Sequence, residues 1–173
     1  MPNKYQTFET QRLLLTPTTE KDSEFIVELL NTPKWLEYIG DRKIYSVEDA
    51  CQYIAEKMTP QFERLGFGNY TITRKSDGII IGSCGLYDRE GVDGIDIGFG
   101  FLPEYEKKGY ALEASLKVKE IAFNNFNLDK ISAITSKKNI GSQTLLKKLG
   151  LQYIENFKLP DSNESLMLYQ LDK

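Results

Sequence analysis

Histidine is absent from the chain. That one absence removes Ser-His-Asp and Cys-His hydrolysis and every histidine-based metal site. Cysteine is scarce, with Cys51 and Cys84 the only two. They form no CxxC pair, so neither a zinc site nor a dithiol redox motif is expected, and no metal is assigned. No apolar run approaches the ~18 residues that a membrane-spanning helix needs. Residues 1–9 (MPNKYQTFE) are polar and carry no apolar signal core. The cytoplasm is therefore the expected location. An excess of positive charge is missing too. Lys and Arg number 22 against 25 Asp and Glu, a net charge of −3, and the pI is near 5.2. A nucleic-acid protein usually shows a basic face and a pI above about 9. Neither nucleic acid nor membrane is expected as a partner. The slight negative balance is compatible with a cationic or amine substrate.

What is present is ordinary for a globular chain: 40% hydrophobic and 27% charged residues in a length of 173. That length suits one domain spanning residues 1–173, which would bury roughly 70% of its unfolded surface. No repeat, low-complexity stretch or Pro/Gly/Ser linker divides it.

Residues 12–16 (RLLLT) predict a first strand. Thr19 followed by Asp22 has the spacing of a capping box, and Phe25, Ile26, Leu29 and Leu30 then recur at helical spacing until Pro33 stops them. Ser46 and Asp49 repeat the capping spacing ahead of a second apolar stripe, Val47, Ala50, Cys51, Ile54 and Met58. Residues 70–74 and 79–85 are β-rich and flank Ser76-Asp77-Gly78, which predicts a hairpin. Residues 94–102 predict a further, glycine-rich strand ended by Pro103. Residues 110–126 predict the strongest helix, with Ala111, Ala114, Val118, Ile121 and Ala122 on one arc and Glu113, Lys117, Glu120 and Asn124 opposite. A strand over 130–135, a short helix over 140–149 closed by Gly150, and strands over 151–159 and 165–171 complete the order β-α-α-β-β-β-α-β-α-β-β. Strands alternate with helices only in the second half. The expectation is an α/β fold of the mixed (α+β) kind, a twisted sheet with helices on both faces.

The stretch IDIGFGFLPEYEKKGYALEA, residues 95–114, carries the chemistry. A strand ends, a loop follows, and a long helix opens at Gly109. The unpaired N–H groups and positive dipole end of a helix N-terminus form an anion site. Gly109 lets an anion approach the backbone closely, and Lys107 and Lys108 add positive charge. A pyrophosphate fits that description; so does a plain strand–loop–helix turn with two solvated lysines. There is no GxxxxGK[ST], and Pro103 stands where GxGxxG would need its third glycine. Gly98 and Gly100 mark a bulge or a close backbone approach, to which a ligand could add through main-chain hydrogen bonds. Packing of Phe99 and Phe101 around small residues explains them equally well. Trp35, Tyr38 and Tyr87 suit either an acceptor pocket or ordinary packing.

IGFGFLPEYEKKGYALEA followed by NIGSQTLLKKLGL resembles the GNAT N-acetyltransferases, and within them the ribosomal-protein N-terminal acetyltransferase (Rim-like) type. TQRLLLTP, NTPKWLEYI and YSVEDACQYI also fit, so the resemblance runs from about Arg12 to Leu171. It implies a mostly antiparallel twisted sheet with a splayed central strand pair, acetyl-CoA as cosubstrate, and transfer of the acetyl group directly to a primary amine, that of a peptide or protein N-terminus or of a small molecule. It also implies roles. The backbone of Phe99, Gly100 and Phe101 would hold the pantetheine arm. Glu106, Lys107, Lys108, Gly109, Tyr110 and Ala111 would cradle the pyrophosphate. Asn139 and Ser142 would lie near the thioester, with Ser142 the candidate acid and Asp96 the candidate base or water-positioner; Asn139 also fits a helix N-cap, a role that can coexist with the other, Ser142 a first-turn serine without chemistry, and Asp96 a solvated strand residue. Two departures stand out: Glu106 and Lys107 replace a Gln or Arg followed by Gly, and Leu146 stands where many relatives carry a general-acid tyrosine. Those departures also admit a catalytically silent acyl-CoA-binding or sensing domain. Monomer and homodimer are both compatible with the sequence.

Overall fold

The computed structural model describes residues 5–173. Eight strands form one sheet: β1 (Phe8–Glu9), β2 (Leu13–Pro17), β3 (Asn69–Arg74), β4 (Ile80–Tyr87), β5 (Asp96–Phe101), β6 (Lys130–Ser136), β7 (Gln152–Phe157) and β8 (Leu166–Asp172). Their spatial order is β1-β2-β3-β4-β5-β6-β8-β7. Every neighbouring pair is antiparallel except β5 and β6. The six α-helices are α1 (Ser23–Leu30), α2 (Pro33–Tyr38), α3 (Val47–Tyr53), α4 (Thr59–Leu65), α5 (Tyr110–Asn124) and α6 (Ile140–Lys148).

Both expected capping boxes form. Ser46 Oγ accepts from Asp49 N at 3.1 Å, while Ser46 N donates back to the Asp49 carboxylate at 3.2 Å. Thr19 and Asp22 do the same around a 3-10 turn that leads into α1. Pro33 does end the first helical run, but it also begins α2 as its first residue. The first position of a helix has no use for an N–H and suits the fixed φ of proline. The second apolar stripe runs on past Met58. Pro60 cannot donate to the carbonyl of Glu56, and the helix meets it with a π-type turn (Ile54–Met58) before resuming as α4. Val47, expected on the buried stripe, is 43% exposed.

The faces of β5 assign the layers. Successive side chains of a strand point to opposite faces. Trp35 of α2 closes on Gly100, whereas the next residue, Phe101, belongs to the core cluster of Ala114, Val118, Ile121 and Ala122 from α5 and Leu146 and Leu149 from α6. α5 and α6 therefore cover one face, and α1 to α3 with the π-type turn cover the other through Phe25, Ile26, Leu29, Ala50 and Ile54. Full burial of each large apolar side chain contributes about 1.5–3 kcal/mol.

Candidate functional site

β5 and β6 touch at one point of register, Asp96 opposite Ser132, where Ser132 N donates to Ile95 O at 2.9 Å. Beyond it the strands part. The other edge of β5 stays regularly paired with β4 from Tyr87–Asp96 to Gly82–Phe101. The glycines of β5 therefore mark close approach rather than a bulge. A Cβ on Gly100 would lie 2.9 Å from the Trp35 ring, and one on Gly98 would lie 2.9 Å from the Tyr87 ring. The parted side of β5 leaves main-chain groups without a ladder partner, which is the geometry a strand-like ligand arm completes.

A cleft of about 390 Å³ opens at this parting. Phe99, Gly100 and Phe101 form one wall. Glu106, Lys107, Gly109, Tyr110 and Ala111 come from the loop and the first turn of α5; Asn139 and Ser142 come from the start of α6. The loop leaves β5 through a 3-10 turn at Pro103–Tyr105. Lys107 then takes φ +61° and Gly109 φ +83°. A non-glycine residue such as Lys107 in that left-handed region costs on the order of 1 kcal/mol, and left-handed residues in a turn are the backbone pattern from which anion-binding nests are built. The N-terminus of the 15-residue α5 lies directly behind it.

Asn139 is the N-cap of α6: its Oδ1 accepts from Ser142 N at 3.2 Å. Its capping role and its place on the cleft wall coexist. Ser142 is half-buried; its hydroxyl forms no hydrogen bond to another described residue. On the opposite wall Trp35 and Tyr38 line the cleft, and Trp35 Nε1 is buried without a hydrogen-bond partner among the described residues. Glu106 reaches across to α2, where Lys34 Nζ donates to its carboxylate at 2.6 Å. That pairing sets a cation against the carboxylate that departs from the family pattern.

Three residues singled out in the sequence lie outside the cleft lining. Lys108 does not line the cleft; its carbonyl accepts from Arg12 Nη1 instead. Tyr87 is not a pocket residue but donates to Asn69 Oδ1 at 2.5 Å, within a chain of buried polar groups that includes Ser83 and Thr18. Asp96 stands at the far end of β5 from the loop, four residues or roughly 13 Å before Gly100. It is outside the cleft lining, nearly fully buried, and ion-paired with Arg89 at 3.3 Å. Burial raises its pKa to about 6, with Arg89 opposing the rise. Leu146, at the position of the tyrosine in many relatives, is only 1% exposed and belongs to the core. Neither cysteine is a nucleophile candidate on the cleft: burial pushes the Cys84 thiol up to about 12, and Cys51 packs against Ser23. Sequence reasoning missed Lys34, Thr32 and Tyr105 on the cleft wall, because nothing local marks a residue whose partner lies dozens of positions away.

Among the described residues no three His, Cys, Asp or Glu side chains gather as a metal site, and no helix is long and apolar enough to cross a membrane.

A mixed sheet parted beside one strand, with a helix N-terminus and a capped second helix opening on the gap, offers an extended ligand arm a strand edge and an anionic group a helix start. The family model described as the acetyltransferase (GNAT) domain matches residues 12–152. The chain belongs to that family and is an N-acetyltransferase enzyme. A Bacillus subtilis (strain 168) protein described as the uncharacterized N-acetyltransferase YnaD is 29% identical over 157 residues, 90% of this chain and 89% of that one. A solved GNAT-family acetyltransferase from Bacillus anthracis superposes with TM-score 0.79 at 24% identity, over 96% of this chain and 98% of that one. The ribosomal-protein-S5-alanine acetyltransferase of Vibrio fischeri superposes with TM-score 0.80 at 18% identity, over 96% of each chain. At those identities the two structures attest the fold alone.

Proposed function

We propose that the chain uses acetyl-CoA to acetylate a primary amine directly, on a peptide or protein N-terminus or on a small amine, as a cytoplasmic enzyme of the Rim-like type. GNAT acetyltransferases use acetyl-CoA, and the observation that carries the reading is the single cleft on which the parted β5, the nest before α5 and Ser142 converge. The backbone of β5 would hold the pantetheine arm and the nest the pyrophosphate. In the transfer the amine nitrogen bonds to the acetyl carbon, the thioester C–S bond breaks, the amine loses a proton, and the thiolate of CoA gains one. Ser142, on the cleft wall, would pass its hydroxyl proton to the thiolate and take back the one that the amine releases, so that one proton moves in net from nitrogen to sulfur. The chain's largest contribution is positioning, worth up to roughly 7–11 kcal/mol in ideal cases. An α-amino group, with a pKa of about 7.7–8.0, is partly neutral at physiological pH, whereas lysine at about 10.4 is not. An N-terminal acceptor suits a cleft whose lining holds no strong base. The shared fold of the V. fischeri structure agrees with that choice without deciding it.

Leu146 favours a second reading. Its burial in the core leaves the cleft without the phenol many relatives use, as in a silent acyl-CoA sensor. Thiol release from acetyl-CoA with a panel of peptides, polyamines and amino acids separates the two. An enzyme releases CoA with at least one acceptor class; binding of acetyl-CoA with no release in any arm would establish the sensor.

A further inference from the structure

We infer that Arg12 is a positioning residue for the anion-binding loop: it sets the peptide plane between Lys108 and Gly109 and turns the Gly109 N–H toward the phosphates. This rests on the proposed acetyl-CoA site. Arg12 precedes β2, far in sequence from the loop, yet its contacts there are many. Nη1 donates to Lys108 O at 3.1 Å. Nε donates to Glu113 Oε2 at 2.7 Å, and the Arg12 backbone N–H donates to Glu113 Oε1 at 2.9 Å. The guanidinium lies over the Tyr110 ring, 4.3 Å from its centroid. Nη2 comes within 3.3 Å of where a Cβ on Gly109 would be.

Two physical consequences follow. In a trans peptide the C=O of one residue and the N–H of the next point in opposite directions. Arg12 draws the Lys108 carbonyl to its own side, so the Gly109 N–H is held facing away from Arg12. Gly109 lines the cleft, while Lys108 does not. The second consequence concerns Glu113, in the first turn of α5. A free carboxylate there would compete with a bound anion for the positive end of the helix. Arg12 and Thr10 Oγ1 at 2.6 Å take up that carboxylate. Burial works against the Glu113 charge, but these hydrogen bonds outweigh it and hold its pKa below the ordinary value. The arginine fork is what allows one side chain to hold a carboxylate and a carbonyl together; a lysine head cannot reproduce that geometry.

The test is the affinity of wild type, Arg12→Gln and Arg12→Lys for CoA, 3′-dephospho-CoA and S-acetylpantetheine, with melting curves to verify folding. Both variants should lose about tenfold toward CoA and dephospho-CoA alike, the usual scale of one charge-assisted hydrogen bond. S-acetylpantetheine, which lacks the pyrophosphate, should bind unchanged. An equal loss for all three ligands would reduce Arg12 to a structural residue. A loss confined to CoA would mean direct contact with the 3′-phosphate. Wild-type affinity in Arg12→Lys would mean charge alone matters, and no loss in either variant would end the inference. If neither Arg12 variant folds, Glu113→Ala takes its place: with the carboxylate that anchors Arg12 gone, the guanidinium should release the Lys108 carbonyl, so CoA and dephospho-CoA should bind more weakly even though a negative charge has been removed, while S-acetylpantetheine is spared; any other pattern overturns the inference. Absence of CoA binding by wild type would instead sink the proposed function.

Discussion

Asp96 carries a charge in surroundings that oppose it. Its side chain is 2% exposed, and its ion-pair partner Arg89 is itself one-third exposed. With its pKa raised from 3.8 to about 6, the folded state binds the proton more tightly than the unfolded chain. The stability that this proton confers is present at low pH and is lost as pH rises through about 6. Asp96→Asn should therefore be more stable than wild type at pH 7.5, by an amount on the order of 3 kcal/mol, with the gap closing as pH falls toward 4. Thermal melts across that range check the slope; a gap independent of pH would mean that Asp96 titrates normally. Ser142 is a residue-scale question of another kind. General acid catalysis is worth 10²–10⁴-fold in typical cases, but a thiolate of pKa about 8.5 is a modest base, so the low end applies. Ser142→Ala should lower kcat by about tenfold to a hundredfold while leaving acetyl-CoA affinity and melting temperature nearly unchanged. Steady-state kinetics with the best acceptor from the panel decide it, and full kcat in the variant would mean the thiolate leaves without help. Restoring a phenol by Leu146→Tyr is not a useful rescue: that position is core, and overpacking it costs typically 1–3 kcal/mol.

At the scale of elements, the loop before α5 is the part of the site that geometry specifies most tightly. Gly109 has φ +83°, which side-chain-bearing residues rarely adopt. A Cβ there would also meet Arg12 Nη2 at 3.3 Å. Gly109→Val adds a β-branched side chain to a backbone that cannot relax without turning the nest. The expected outcome is loss of the acetyl-CoA-induced thermal shift in a protein that still shows a native circular-dichroism spectrum. A variant that folds and keeps the full shift would show that the loop does not hold the phosphates. Lys34 and Glu106 join the same loop to α2. An exposed pair of this kind is worth little as stability; its consequence is that the Glu106 carboxylate is paired with a cation of α2.

For the whole molecule, the cleft is where the two layers of helices meet the gap in the sheet. A ligand there touches α2 from one layer and α5 and α6 from the other, so it binds the folded state and not the unfolded chain. At 100 times its dissociation constant, acetyl-CoA should add about 2.7 kcal/mol, roughly 5–10 °C in melting temperature for a chain of this size. Differential scanning fluorimetry checks it; no shift at millimolar acetyl-CoA or CoA would defeat the assignment of this cleft.

The amino-acid sequence by itself determined the elements whose causes are local. The capping boxes at Thr19 and Ser46, the turn at Gly78, the amphipathic period of α5 and the N-cap Asn139 can all be read within a few residues of each other, because helix caps, turns and side-chain periodicity are short-range effects. The loop at Lys107–Gly109 reads as a candidate anion site for the same reason, and the order of motifs pointed to the family. Tertiary structure alone decided the rest. Pro33 can end one helix and begin the next, and only the path of the chain shows that it does both. The two-residue β1 exists because β2 offers it an edge. The burial of Leu146, the distance of Asp96 from the cleft, and the reach of Arg12 and Lys34 to the loop all depend on partners dozens of residues away. Such contacts are selected by the packing of the whole core, and no local pattern encodes which distant surface a side chain will meet.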